Sequence, residues 1–346
     1  NRVPISRKAL VDLVDELRPK IEAVDKLTTF EIMTGLAYLY FARQEVDIAV
    51  IEVGLGGRLD ATNVITPLIS VITSLCLDHT SILGDTLAEI AREKGGIIKP
   101  GIPVVTAPQK TEALQVLKEI AKDTQSPFFE VGKDYHFRAV DADLDGQRFR
   151  TAKTVRELNS PDSEYFLPLL GRFQVINAAT AFAVLDQVRE RGFPVTPAQV
   201  KKGFRTLNWP ARFEIARRNP PVVFDSAHNP ASIRKIRETV DEFFPGVPLV
   251  AVFGISEDKE LGGMYDALLP RTDYLITTQA DHPRAMDAGL LLKRAERFHL
   301  EGEAVPEVRN ALKRALEVAG NERMILVTGS IFVAATARIA WQEWGN

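Results

Sequence analysis

Along this chain, nearly continuous apolar runs of strand length alternate with stretches in which apolar residues recur every three to four positions. Residues 46–53 (VDIAVIEV), 68–77 and 102–107 read as buried strands, and 31–43, 86–94 and 111–123 as helices. Unbroken apolar strands separated by helices predict a mostly parallel sheet covered on both faces. From 128 to 168 the pattern shortens into alternating pieces around Asp145-Gly146, which predicts hairpins. Helices resume at 175–192 and 197–207, and Asn208-Trp209-Pro210 then breaks the pattern. A second alternating series follows, with strands at 222–225, 249–253, 274–278 and 324–328. Its helices fall at 231–244, 286–298 and 307–319, and a closing helix at 331–344. A boundary within 209–218 divides the chain into two α/β domains, 1–210 and 211–346. In open α/β sheets ligands bind beyond the carboxyl ends of the strands.

Composition narrows the function. The 346 residues fit two domains at roughly 150 each. Forty-three basic against 46 acidic residues leave a net charge of −3, which argues against a nucleic-acid or anionic-membrane partner. One cysteine, Cys76, excludes an intrachain disulfide and a thiolate zinc site and fits a reducing compartment, so a cytoplasmic protein is expected. No apolar run approaches the roughly 18 residues that span a bilayer, and no signal peptide is read. The chain opens at Asn1, without Met, in what reads as ordinary domain sequence, and is expected to be a fragment.

Several chemistry-bearing residues fall at strand ends. Glu52 lies inside the apolar run 46–53, where a carboxylate is costly unless paired or bound to metal. Asp78-His79 closes the second run. Glu52 and His79 therefore read either as ligands of a divalent cation, Mg²⁺ at a phosphate site, or as a salt-bridged acid and a helix cap. Gly54-Leu55-Gly56-Gly57 fails the dinucleotide template G-x-G-x-x-G, because Leu59 takes the third position and no amphipathic helix follows. Lys94 falls on the stripe Leu87, Ile90, Ala91. It either lays its stem on the core with its head in water or offers a neutral, reactive amine. Thr28-Thr29-Phe30-Glu31 fits a capping box. Asp225 suits a ribose hydroxyl or a helix cap. Arg212 suits a phosphate clamp or a carboxylate partner, and Ser330 stands at a helix start that favours anions.

Together these stretches resemble the folylpolyglutamate synthase/dihydrofolate synthase branch of the Mur ligases. The matching segments are TTFE (28–31), IEVGLGGRLDATN (51–63), LDHTSILGDTLAEIAREKGGIIK (77–99), GRFQVINAATA (171–181), ARFE (211–214), DSAHNP (225–230) and PRAM (283–286). The resemblance covers nearly the whole chain. It implies a central Mur-ligase domain with a P-loop-NTPase-like parallel sheet, lacking its N-terminal part here, followed by a smaller Rossmann-like α/β domain.

By the same resemblance, Glu52 and His79 are the Mg²⁺ ligands and Lys94 is a carbamylated lysine. Asn177, Arg212 and Asp225 contact ATP on its adenine, phosphate and ribose sides. Thr28, Thr29, Phe30, Glu31, Leu59, Asp60 and Ala61 hold the pterin or pteroate, and His228 and Ser330 face the incoming glutamate. The implied activity is ATP-dependent addition of L-glutamate to a folate or to dihydropteroate, by a monomer. The rivals are a Mur-type cell-wall peptide ligase and a catalytically dead binding relative. Two departures stand out. Gly95-Gly96 replaces the family's usual Ala-Gly, and no G-x-x-x-x-G-K-[ST] phosphate loop occurs; Gly132-Lys133 is followed by Asp134. The chain as given is therefore expected to lack ligase activity.

Overall fold

The computed structural model of the protein describes residues 3–345. Its contacts define two units. The first holds the residues up to Leu75 with Thr80–Val104 and Gln109–Phe128. The second holds Cys76–His79, Val105–Pro108 and the chain from Phe129 onward.

In chain order the early elements are α1 (Arg7–Glu22), α2 (Thr29–Arg43), β1 (Ser70–Ile72), α3 (Thr80–Leu83), α4 (Leu87–Gly95), β2 (Val104–Thr106), α5 (Thr111–Asp123) and β3 (Phe128–Glu130). The three strands form one sheet in the order β1-β2-β3. Ile72, Leu87, Ala91, Val104 and Leu117 make the core of the first unit. Helices α4 and α5 form where their periodicity predicts them. The run 46–53 does not form the expected strand: it is irregular, and Val50 is 93% exposed. A strand needs a neighbour's hydrogen-bond ladder, and among the described residues no strand pairs with this run. The runs 68–77 and 102–107 shorten to β1 and β2 for the same reason, since only their paired centres qualify.

The second unit contains an antiparallel sheet of β4 (His136–Asp143), β5 (Gly146–Ala152) and β6 (Glu164–Leu167). A hairpin forms where it is expected, with its turn at Leu144-Asp145 and Gly146 already paired with Asp143. Helices α6 (Val155–Leu158), α7 (Arg172–Glu190) and α8 (Pro197–Arg205) follow, with Phe149, Tyr165, Val175 and Phe204 between sheet and helices.

The rest of the unit is a doubly wound sheet. Its elements are β7 (Glu214–Arg218), β8 (Pro221–Phe224), α9 (Pro230–Phe243), β9 (Leu249–Phe253), α10 (Leu261–Leu268), β10 (Tyr274–Gln279), α11 (Ala288–Ala295), β11 (Glu301–Glu307), α12 (Val308–Ala319), β12 (Met324–Thr328) and α13 (Ile331–Glu343). The order is β11-β10-β9-β12-β8-β7, parallel except that β7 runs antiparallel to β8. Met324 and Leu326 enter one core cluster and Ile325 and Val327 the other. Burial on both faces is why this strand reads as an unbroken apolar run.

Candidate active site

The carboxyl ends of β8, β9 and β12 form one edge of the six-stranded sheet. From β8 the chain runs through Asp225-Ser226-Ala227-His228-Asn229 into α9, capped by the Asn229 side chain on the Ser232 N–H at 2.8 Å. Asp225 is 3% exposed. Its Oδ2 accepts the Phe213 N–H at 2.8 Å and its Oδ1 the Ala227 N–H at 2.7 Å. Burial pushes this carboxyl up to about 6, against those two N–H groups and the positive charges of Arg212 and His228.

The segment 211–214 is pinned beside it. The Arg212 guanidinium donates to the Ser226 hydroxyl and lies 5.7 Å from the Trp209 ring centre. Ala211 and Phe213 hold left-handed φ values of 54° and 48°. Such residues cost about 1 kcal/mol or more each and persist where surroundings over-determine them. Here the Ala211 N–H donates to Glu214 Oε2 at 2.8 Å, its carbonyl accepts the Ser226 N–H at 3.0 Å, and Arg338 Nε holds Glu214 at 2.7 Å.

From β12, Gly329 turns at φ 101° and donates its N–H to the Ala227 carbonyl at 3.0 Å. A Cβ there would stand 2.5 Å from the Gly254 carbonyl oxygen, so only glycine closes the edge. Ser330, 6% exposed, caps α13 through the Phe332 N–H at 3.2 Å.

A polar cluster adjoins this edge. His228 Nδ1 faces the Ser226 carbonyl at 3.0 Å, and its Nε2 lies 3.7 Å from Asp78. Asp78 also accepts from Asn229 Nδ2 at 2.9 Å and from Lys259 Nζ at 2.9 Å. Burial pushes the Asp78 carboxyl up, but the nearby His228 ring and the bonds from Lys259 and Asn229 outweigh it and hold the group far below the usual carboxylate range. The same contact with Asp78 raises His228. Burial, then the Lys259 charge, lowers His79, and Asp78 partly offsets the fall. The second unit thus brings Arg212, Asp225, His228 and Ser330 to one sheet edge and His79 to the cluster beside it. Asn177 is exposed on α7 and donates its amide to Gln174 Oε1 at 3.1 Å.

In the first unit the motif residues have local partners. Thr28 and Glu31 close a capping box ahead of α2, which Thr29 opens. The Phe30 ring lies over Gly54, where a Cβ would be 2.4 Å from it. Asp60 accepts from the Leu55 N–H and the Thr62 N–H, both at 2.9 Å, and caps the turn that begins at Ala61. Phe30 and Leu59 remain exposed, and so does Glu52. Leu87, Ile90 and Ala91 are buried as the stripe predicts, while Lys94 is half-buried in the last turn of α4.

Among the described residues no three His, Cys, Asp or Glu side chains converge to cage a metal. A magnesium ion fits only a site completed by phosphate oxygens and water, the usual pattern for this ion. His79 Nε2 faces the Lys259 ammonium at 3.2 Å. Sequence reasoning missed Asp78, Asn229 and Lys259 as partners. The strand-end rule, applied to the loop after β9, points to the segment that holds Lys259.

Comparison with known proteins adds the family. The profile of the Mur ligase middle domain matches residues 11–185, and that of the Mur ligase glutamate ligase domain matches 211–331. The folylpolyglutamate synthase of Lacticaseibacillus casei is 35% identical over 345 residues, which cover 97% of this chain and 78% of that protein. The chain belongs to the folylpolyglutamate synthase/dihydrofolate synthase family of Mur ligases. Members of this family are ligases that form carbon–nitrogen bonds. A probable bifunctional folylpolyglutamate synthase/dihydropteroate synthase of Haloferax volcanii is 37% identical and covers 97% of this chain, but the chain spans only 40% of it. Among solved structures, Mycobacterium tuberculosis folylpolyglutamate synthase complexed with ADP superposes with a TM-score of 0.87 at 31% identity, covering 98% of this chain and 79% of that one. E. coli FolC in complex with DHPP and ADP gives 0.85 at 27%, covering 99% and 78%.

Proposed function

We propose that this protein serves an ATP-dependent amide ligation that adds L-glutamate to a folate, to dihydropteroate, or to both. In the reaction the substrate carboxylate takes the γ-phosphoryl group of ATP, which gives an acyl phosphate and ADP. The glutamate amine attacks the acyl carbon, inorganic phosphate leaves, and the amine's proton passes to a base. The observation that carries this reading is the sheet edge where Arg212, Asp225, His228 and Ser330 meet, together with the ADP-bound relatives of the same fold.

In this reading Asp225 meets the ribose, Arg212 the phosphates and Asn177 the adenine. A guanidinium there neutralises charge on the transferring group. Thr28, Thr29, Phe30, Glu31, Leu59, Asp60 and Ala61 line the pterin or pteroate subsite, where exposed Phe30 and Leu59 offer apolar faces to a flat ring. His228 and Ser330 serve the incoming glutamate. Glu52 and His79 would hold magnesium, which when bound offsets the negative charge of the phosphates. Lys94 would add CO₂ to its neutral amine and release a proton, leaving a carbamate beside the phosphates. The protein works as a monomer in the cytoplasm.

Thermal-shift and calorimetric titration test the reading. ADP and dihydropteroate, or a tetrahydrofolate, should each stabilise the protein, and a UDP-muramyl peptide should not. Stabilisation by the muramyl peptide alone would transfer the site to cell-wall ligation. Failure of every ligand to bind would overturn the reading, and binding with no ADP release from ATP and glutamate, in a form that carries a phosphate loop, would leave the catalytically dead binding relative.

A further inference from the structure

A cavity of about 390 Å³ opens where β5 and β6 meet helices α7 and α8, and the ligation above assigns nothing to it. Pockets of this size hold small organic ligands. Phe182, Leu185, Val195 and Val200 form its apolar wall. They belong to the core cluster around Phe149, and the first three are only half-buried, so the core reaches the cavity here. Tyr165 lines the cavity and is 6% exposed. Its ring packs on Phe149, Phe182 and Phe204, but among the described residues its hydroxyl has no hydrogen-bond partner. A phenol both donates and accepts, and buried polar groups are almost always paired. Burial pushes this phenol up, and the charges of Arg189, Asp162 and Asp186 bear on it. All three of those residues line the cavity, which places the hydroxyl toward it.

The lining charges are unbalanced. Glu157, Asp162, Asp186 and Glu190 stand against Lys153 and Arg189. Both cations already have carboxylate partners, Arg189 on Asp186 and Lys153 on Glu190. The Tyr135 hydroxyl also holds Asp186, at 2.8 Å. Of the remaining acids, Glu157 caps α6 through the Thr154 N–H, and Asp162 makes no ion pair among the described residues. Lys201, 5.8 Å from the Tyr165 ring centre, is not part of the lining. We propose that this cavity is a second binding site, for a small organic cation: a protonated amine on an aromatic or branched apolar body. The body packs on Phe182 and Leu185, and the ammonium donates to the Tyr165 hydroxyl and faces Asp162. The proposal does not depend on the ligase reading, in which none of these residues has a part.

The probes are tryptamine and indole-3-propionate, which share ring and chain length and differ in the sign of the head group. Saturation-transfer NMR titration on this chain should show tryptamine bound about tenfold more tightly, the order of effect of reversing one charge beside a carboxylate in a highly screened setting. Asp162→Asn should narrow that preference. Tyr165→Phe should weaken tryptamine binding about fivefold, the usual size of one lost hydrogen bond. Its urea midpoint should stay at or above the parent value, because the hydroxyl has no protein partner to lose. Val195→Trp should fill the cavity and abolish binding. Leu185→Trp is the second filling variant should the first fold poorly, with far-ultraviolet circular dichroism as the check. No saturable binding of tryptamine, or equal binding of the two probes, overturns the site. Binding that survives in a folded filling variant puts tryptamine elsewhere and overturns it as well. A lowered urea midpoint in Tyr165→Phe gives the hydroxyl a structural role and removes the observation on which the site stands.

Discussion

The Phe213 main-chain N–H donates to the buried carboxylate of Asp225 at 2.8 Å, and so ties the strained turn before β7 to the end of β8. The same carboxylate takes the Ala227 N–H. One side chain thus fixes two loops that, in the proposed reading, meet the nucleotide from neighbouring strands. Two N–H bonds favour its charge, yet burial outweighs them and raises it to about 6.

That balance gives a pH dependence with a definite sign. The folded value of about 6 lies above the ordinary 3.8, so the folded state holds this proton more tightly than the unfolded chain does. The group's contribution is greatest below the unfolded value and is lost as pH rises through the folded one. Between about pH 4 and pH 6 the loss reaches about 3 kcal/mol. Asp225→Asn, which does not titrate, should lack this part of the slope. Urea unfolding of parent and variant at several pH values reads the difference. Parallel stability curves would refute the raised carboxyl.

Arg212 is held by the Ser226 hydroxyl and the Trp209 ring and makes no ion pair among the described residues. In a catalytically active form of the enzyme, Arg212→Ala should lower kcat by about 10²- to 10³-fold, the usual cost of one lost charge-stabilising donor. Folate binding should change much less. ADP release under saturating substrates measures the first, and fluorescence titration the second. An unchanged kcat would make Arg212 a structural residue.

Glu214 links the Ala211 N–H to Arg338, with both charged side chains about one-quarter exposed. Glu214→Ala leaves an N–H and a guanidinium without their partner, which should cost about 1–2 kcal/mol. It should also weaken ADP binding, because Ala211 and Phe213 lose a restraint on their left-handed geometry. Arg338→Met should cost less, since Glu214 keeps the Ala211 N–H. Chemical denaturation and ADP calorimetry on both variants check the order.

Legibility in the sequence followed burial. The strands of the six-stranded sheet that are apolar on both faces, such as β12, were readable as continuous runs. The edge strands β7 (EIARR) and β11 (EGEAVPE) were not, because one-sided exposure fills them with charge. The run 46–53 misled for the opposite reason: its composition is that of a buried strand, but no described strand pairs with it. The DSAHNP and ARFE segments were legible as motifs because several residues of one loop act together. Lys259 was not, since a lysine in a loop carries no periodicity and its partners, Asp78 and His79, lie 181 and 180 residues away in sequence.

Lys94 offers the sharpest chemical test of the ligase reading. It ends the stripe of Leu87, Ile90 and Ala91, which are buried, and is itself half-buried in the last turn of α4. Among the described residues its amine makes no hydrogen bond or ion pair. Addition of CO₂ to the amine, with loss of a proton, would turn the side chain into an anion. A carbamate then has a use only if a cation or the magnesium–phosphate site lies within its reach. In a catalytically active form, Lys94→Ala should lower turnover severely, and added acetate should restore part of it by filling the vacated space. Lys94→Glu, which carries its own carboxylate, should retain more activity than Lys94→Ala and gain nothing from acetate. Lys94→Arg keeps the charge and cannot take up CO₂, so it should be as impaired as Lys94→Ala. Parent-like turnover in Lys94→Arg would mean that Lys94 acts as a simple cation near the helix end, where the dipole already favours one.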